Sequence, residues 1–82
     1  FWAPWCGPCR NFHPTVQTLS QHFARKVLFA RINVDDFPDL CDRFEVRTIP
    51  QLILFQAGRE HKRLIGIQSE LVMTRLLYRV LE

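Results

Sequence analysis

The chain has 82 residues, room for one small domain, because a single core of this size supplies only about 3–5 kcal/mol. It is 48% hydrophobic and 23% charged with few Gly and Pro, which excludes a disordered tail, and its net charge of +3 is spread along the chain. The densest basic run, "GREHKR" (Gly58–Arg63), lies between apolar segments as a solvated turn would and brings no base-stacking motif, and no apolar run approaches the roughly 18 residues of a membrane span, so neither nucleic acid nor membrane is an expected partner.

In chain order, "FWA" (Phe1–Ala3) reads as the end of a buried strand broken at Pro4. In "CGPCRNFHPTVQTLSQHFARK", Phe12, Val16, Leu19 and Phe23 recur at helical spacing, which predicts a helix from the dithiol to about Ala24, kinked where Pro14 removes a backbone donor. "VLFARINVD" (Val27–Asp35) is short and apolar and predicts a strand buried on both faces. Phe37–Phe44 suits a short helix with Pro38 in its first turn and Asp35 or Asp36 as cap. "QLILFQ" (Gln51–Gln56), a turn at Ala57–Glu60 and "KRLIG" (Lys62–Gly66) predict an antiparallel hairpin. Ser69 is placed to cap a last helix, with Val72, Leu76 and Val80 in one stripe and Met73, Leu77 and Leu81 beside it, packed on the sheet. Strand, helix, strand, helix, hairpin and helix make an α/β layout.

The chemistry concentrates in "WCGPC" (Trp5–Cys9). Two cysteines spaced as Cys6 and Cys9 at the start of a helix can close a small disulfide ring. The first turn also offers free N–H groups and a field worth roughly 0.3–2 kcal/mol to a nearby anion. A free thiol is mostly protonated at neutral pH, and only the thiolate attacks, so Cys6 gains most from that field. The pattern predicts thiol–disulfide exchange in which Cys6 attacks and Cys9 resolves, with Gly7 and Pro8 restricting the loop and no cofactor required. Cys9, a turn deeper, is expected to be the less exposed sulfur, and Trp5 an exposed shield over Cys6. Trp2 is read as a packing residue, and Arg31 as a partner for a carboxylate in a segment outside this sequence or a snorkelling edge residue.

The segment "FWAPWCGPC" closely resembles the active-site segment of the thioredoxins. The likeness continues through Pro14, "ARINVD", "FEVRTIP", the hairpin "LILFQAGRE" and Gly66 before the last helix, so it covers the whole chain. It implies a thioredoxin fold, a mixed β-sheet flanked by helices, here one partial domain over residues 1–82 that lacks the first strand, the first helix and most of the central strand. It also implies that Cys6 is the nucleophile, Cys9 the resolving cysteine and Pro50 a cis-proline facing them. Thr48, Ile49 and Pro50 would then form a backbone edge that pairs with an extended substrate, and Trp5, Ile65 and Gly66 an apolar rim. The implied partners are proteins with disulfides and a reductase, such as thioredoxin reductase, that recharges the dithiol.

Two departures stand out. The aspartate that thioredoxins carry ahead of the Phe-Trp pair lies outside this sequence, and Gln51 stands where threonine is usual. The opening in an apolar segment without Met suggests an N-terminal truncation, and "CGPCRNF" suggests the subgroup with an N-terminal zinc-binding extension. Such a chain leaves its apolar sheet neighbours uncovered, so an isolated 82-residue polypeptide is expected to be unstable or dimeric. An odd cysteine count favours a reducing compartment, hence the cytoplasm. Three rival readings compete with the reductase. One is a zinc site built from Cys6, Cys9, His13 and Cys41; the others are a structural disulfide and a non-catalytic interaction or chaperone module. Cys41 is otherwise a buried inert thiol.

Overall fold

A computed structural model describes residues 1–82. Its elements are α1 (Gly7–His22), α2 (Pro38–Arg43), β1 (Gln51–Gln56), β2 (Arg59–Ile65) and α3 (Glu70–Leu81). Helix α1 opens on Cys6, whose extended backbone makes it the N-cap, and Pro8 falls in the first turn, where a missing N–H costs nothing. The helix runs on through Pro14 to His22, close to the expected end. Helix α3 opens on Ser69, whose Oγ accepts a hydrogen bond from the Val72 N–H at 3.1 Å, the cap the sequence predicts.

These two helices meet through one core of Phe12, Leu19, Phe23, Met73 and Leu77, with Val16, Leu52, Leu54 and Leu64 packed against it. The α1 stripe is therefore the buried face, and in α3 burial falls on Met73 and Leu77 while Val72 stays exposed. At the α1 C-terminus, His22 Nε2 lies 2.7 Å from the Tyr78 hydroxyl of α3, and Phe23 and Tyr78 stack edge to face.

The hairpin is tighter than the sequence suggests. Ala57 and Gly58 both have positive φ, 54° and 78°, as a two-residue type I′ turn requires, because that turn matches the twist of the flanking strands. Gln56 then pairs directly with Arg59, and β2 starts three residues earlier than the Lys62 expected from its apolar end. The register slips by one between Leu54, opposite Lys62, and Phe55, opposite Glu60, leaving His61 as the extra residue of a β-bulge.

Two expectations need correction. Val27–Asp35 is not a strand: it makes one parallel bridge, Trp2 with Asn33, through Trp2 N–H to Ile32 O and Val34 N–H to Trp2 O, both 2.9 Å. Ladder pairing needs a neighbour, and only Trp2 lies alongside, so the residues from Val27 to Arg31 are unpaired and Leu28 is 95% exposed rather than buried on both faces. Nor does Asp35 or Asp36 cap α2; Phe37 is its N-cap, with no side-chain cap bond.

Phe1 and Trp2 nevertheless sit centrally. Phe1 exchanges hydrogen bonds with Gln51, its amine donating to Gln51 O at 2.8 Å and its carbonyl accepting from Gln51 N–H at 3.2 Å. The Phe1–Trp2 pair thus bridges β1 on one side and Asn33 on the other. Beside it lies an open, mainly apolar groove of about 710 Å³, lined among others by Phe1, Phe12, Val16, Phe29, Leu52 and Leu77.

Candidate active site

Cys6 and Cys9 are joined as a disulfide, with Cα atoms 5.2 Å apart, a separation well within the range a disulfide spans. Their spacing across the first turn of α1 produces this: Cys6 as N-cap turns its side chain back over the turn, and the Cys9 N–H donates to Cys6 Sγ at 3.2 Å. The sulfur occupies the position where a Ser or Asp oxygen would satisfy an orphan helix donor. The two cysteines are equally buried, 6% and 5% exposed, so the expected difference in exposure is absent from this bonded pair. They form a small cluster with Ala3, against which Trp2, Val34 and Ile49 pack.

Two polar tethers hold the segment before the disulfide. The Trp5 indole N–H donates to Asp35 Oδ2 at 2.9 Å, while the ring stays 66% exposed. Arg10 Nη1, one residue past Cys9, reaches back to Pro4 O at 3.1 Å. Neither Asp35 nor Arg10 was legible as a site residue in the sequence, because both contacts depend on tertiary placement. Trp2 is half-buried under Arg31, whose guanidinium carbon lies 4.1 Å from the ring centroid, a cation–π contact.

The Ile49–Pro50 peptide is cis. Thr48 is exposed, Ile49 half-buried and Pro50 buried. The N–H groups of Thr48 and Ile49 and the Ile49 carbonyl make no hydrogen bond within the chain. Gly66, with φ of 87°, donates its N–H to Pro50 O at 2.8 Å, and Ile65 pairs with Gln51 while leaving its side chain 61% exposed. Thr48, Ile49, Pro50, Ile65 and Gly66 thus adjoin one another, and Ile49 touches the dithiol cluster.

The four zinc candidates do not converge. No group of three or more His, Cys, Asp and Glu side chains is placed to hold a metal ion, and Cys41 is a buried free thiol in α2. No helix is long and apolar enough to cross a membrane.

The thioredoxin family model matches residues 1–77. The chain is 46% identical over 70 residues to a thioredoxin of Alicyclobacillus acidocaldarius, covering 85% of this chain and 67% of that one. It is 40% identical over 81 residues to the chloroplastic thioredoxin M4 of Arabidopsis thaliana, covering 99% of this chain and 42% of that one, so it spans between two fifths and two thirds of the length of these relatives. Among solved structures, the germline-specific thioredoxin Deadhead of Drosophila melanogaster superposes with a TM-score of 0.88 at 30% identity, over 96% of this chain and 74% of that one. With its disulfide at the head of α1, a cis Ile49–Pro50 peptide whose Ile49 packs on the dithiol cluster and a family match over nearly its whole length, the chain belongs to the thioredoxin family and has the thioredoxin fold.

Proposed function

We propose that the protein is a protein-disulfide reductase working by dithiol exchange. The observation that carries this reading is the Cys9 N–H donated to Cys6 Sγ at the N-cap of α1. In the reduced protein the same donor and the helix field favour an anionic Cys6 sulfur. That thiolate attacks one sulfur of a substrate disulfide; a Cys6–substrate S–S bond forms, the substrate S–S bond breaks, and its other half leaves as thiolate. Cys9, after losing its proton, attacks Cys6 Sγ, closing the Cys6–Cys9 disulfide and expelling the second substrate thiolate. Two electrons pass from the dithiol to the substrate, whose two sulfurs take up protons. A reductase of the thioredoxin reductase kind would return two electrons to Cys6 and Cys9.

Substrate lies, on this reading, along Thr48–Pro50, where the free Ile49 N–H and carbonyl can pair with an extended segment. Trp5, Ile65 and Gly66 supply the rim, and the loop residues Gly7 and Pro8 keep the sulfurs in reach. Backbone pairing reads little sequence, which fits a broad class of protein disulfides. A compartment that keeps thiols reduced suits the cycle, and we place the protein in the cytoplasm; relatives with chloroplastic names show that the same scaffold serves elsewhere.

Turnover of an insulin-type disulfide with dithiothreitol tests the reading. Cys6→Ser is expected to abolish it, and Cys9→Ser to accumulate a mixed disulfide at Cys6 visible by mass spectrometry. Undiminished turnover in Cys6→Ser would leave a scaffold or chaperone instead.

A further inference from the structure

Gln51 is the one buried polar side chain in the molecule, 3% exposed, and it follows the cis-proline directly. With its amide oriented to satisfy both neighbours, Nε2 donates to Thr48 O and Oε1 accepts from Arg63 Nη1, each at 3.0 Å. Arg63 is fixed in turn by a two-pronged pair with Glu60, Nε to Oε2 at 3.0 Å and Nη2 to Oε1 at 2.7 Å, which leaves Nη1 for Gln51. A polar chain therefore runs from the β2 surface to the carbonyl at the head of the Thr48–Pro50 edge.

The β-bulge makes this chain possible. In a regular strand, residues 60 and 63 would face opposite sides. The extra residue His61 restores them to one face, opposite Phe55 and Ile53, on the side that carries Gln51. Without the bulge, Arg63 would oppose Leu52 and point to the core side.

We propose that Gln51 is a positioning residue for extended substrates, holding Thr48 O from within the sheet so that the free Ile49 N–H and carbonyl stay aligned for pairing. The inference rests on the reductase reading of the same site. A buried amide satisfied at both ends has one orientation, whereas a residue that reaches Arg63 but cannot donate to Thr48 releases the edge.

Gln51→Glu separates the two contacts. As a carboxylate it keeps Arg63, and its charge next to a guanidinium favours the ionised form, but it offers no donor to Thr48 O. The intact protein carrying Gln51→Glu is expected to show KM for an extended peptide disulfide raised about three- to tenfold, the weight of one hydrogen bond, at unchanged kcat. Its rate with a small aromatic disulfide, which has no backbone to pair, should stay within about twofold, since no hydrogen bond is lost there. Gln51→Leu, which loses both contacts, should give the same KM split, and thermal melts of both variants establish that each is folded. Equal losses on both substrates, or an unchanged KM for the peptide in both folded variants, would overturn the proposal. A wild-type protein inactive on either disulfide would instead sink the reductase reading itself.

Discussion

The dithiol end and the groove side of this molecule are stabilised by different means. Around Cys6 and Cys9 a few residues are held by directed contacts: Cys9 N–H to Cys6 Sγ, Trp5 to Asp35, Arg10 to Pro4 and Gly66 to Pro50. On the groove side, cohesion is apolar and one-sided, with Phe12, Leu19, Phe23, Met73 and Leu77 packed together while Leu28 and Phe55 face outward. Directed contacts fix geometry at low cost in buried area, whereas an apolar layer contributes in proportion to the area removed from water.

The largest effect expected from breaking this contrast is in the core. Phe23→Ala, at a residue 1% exposed, should cost about 3–5 kcal/mol, comparable to all the stability a domain of this size has. Loss of a cooperative urea transition checks it, and Leu28→Ser, at a residue 95% exposed, should leave the transition in place. A core substitution that left the melt unchanged would show that the groove side contributes nothing.

At the other end the effect is smaller and local. Asp35→Ala removes the Trp5 acceptor and should cost about 0.5–1.5 kcal/mol, with a shift in Trp5 emission; Asp35→Asn, which still offers an oxygen, should restore the wild-type spectrum. Identical spectra for wild type and Asp35→Ala would mean that Trp5 is not held there.

The smallest effect concerns Glu60. The hydrogen bonds from Arg63, reinforced by its charge, hold the Glu60 carboxyl below the usual carboxylate range and the Arg63 guanidinium above its own. Because the folded-state value is depressed, the contribution is present above the ordinary carboxylate pKa and is lost as pH falls through the lowered one. Carbon-detected NMR titration should find Glu60 low in the wild type and back in the ordinary range in Arg63→Ala. Titration at the ordinary value in both would remove the ion pair from the hairpin.

How much of this was readable in advance follows the same division. Helical spacing from Phe12 to Phe23, Ser69 ahead of an amphipathic run and the apolar strand after Pro50 are local signals, and each produced its element. The segment from Val27 to Asp35 has a strand's composition, yet strand formation requires a hydrogen-bonding neighbour, and one bridge at Trp2 is all it receives. The dithiol was legible because spacing along one helix turn fixes its geometry. Asp35, Arg10 and Arg63 were not, since each acts across a gap in sequence, and Arg63 becomes a neighbour of Gln51 only through a register slip that no composition announces. Gln51, polar at the head of an apolar run and standing where threonine is usual, was the visible hint.

That register slip makes the length of the hairpin arm a parity condition. Removing His61, or inserting a single residue between Gly58 and Lys62, would invert β2 beyond that point, swinging Leu64 into water and Arg63 toward the leucines of β1. Changes in pairs would preserve the alternation, so the arm can vary in reach but tolerates length changes only in steps of two.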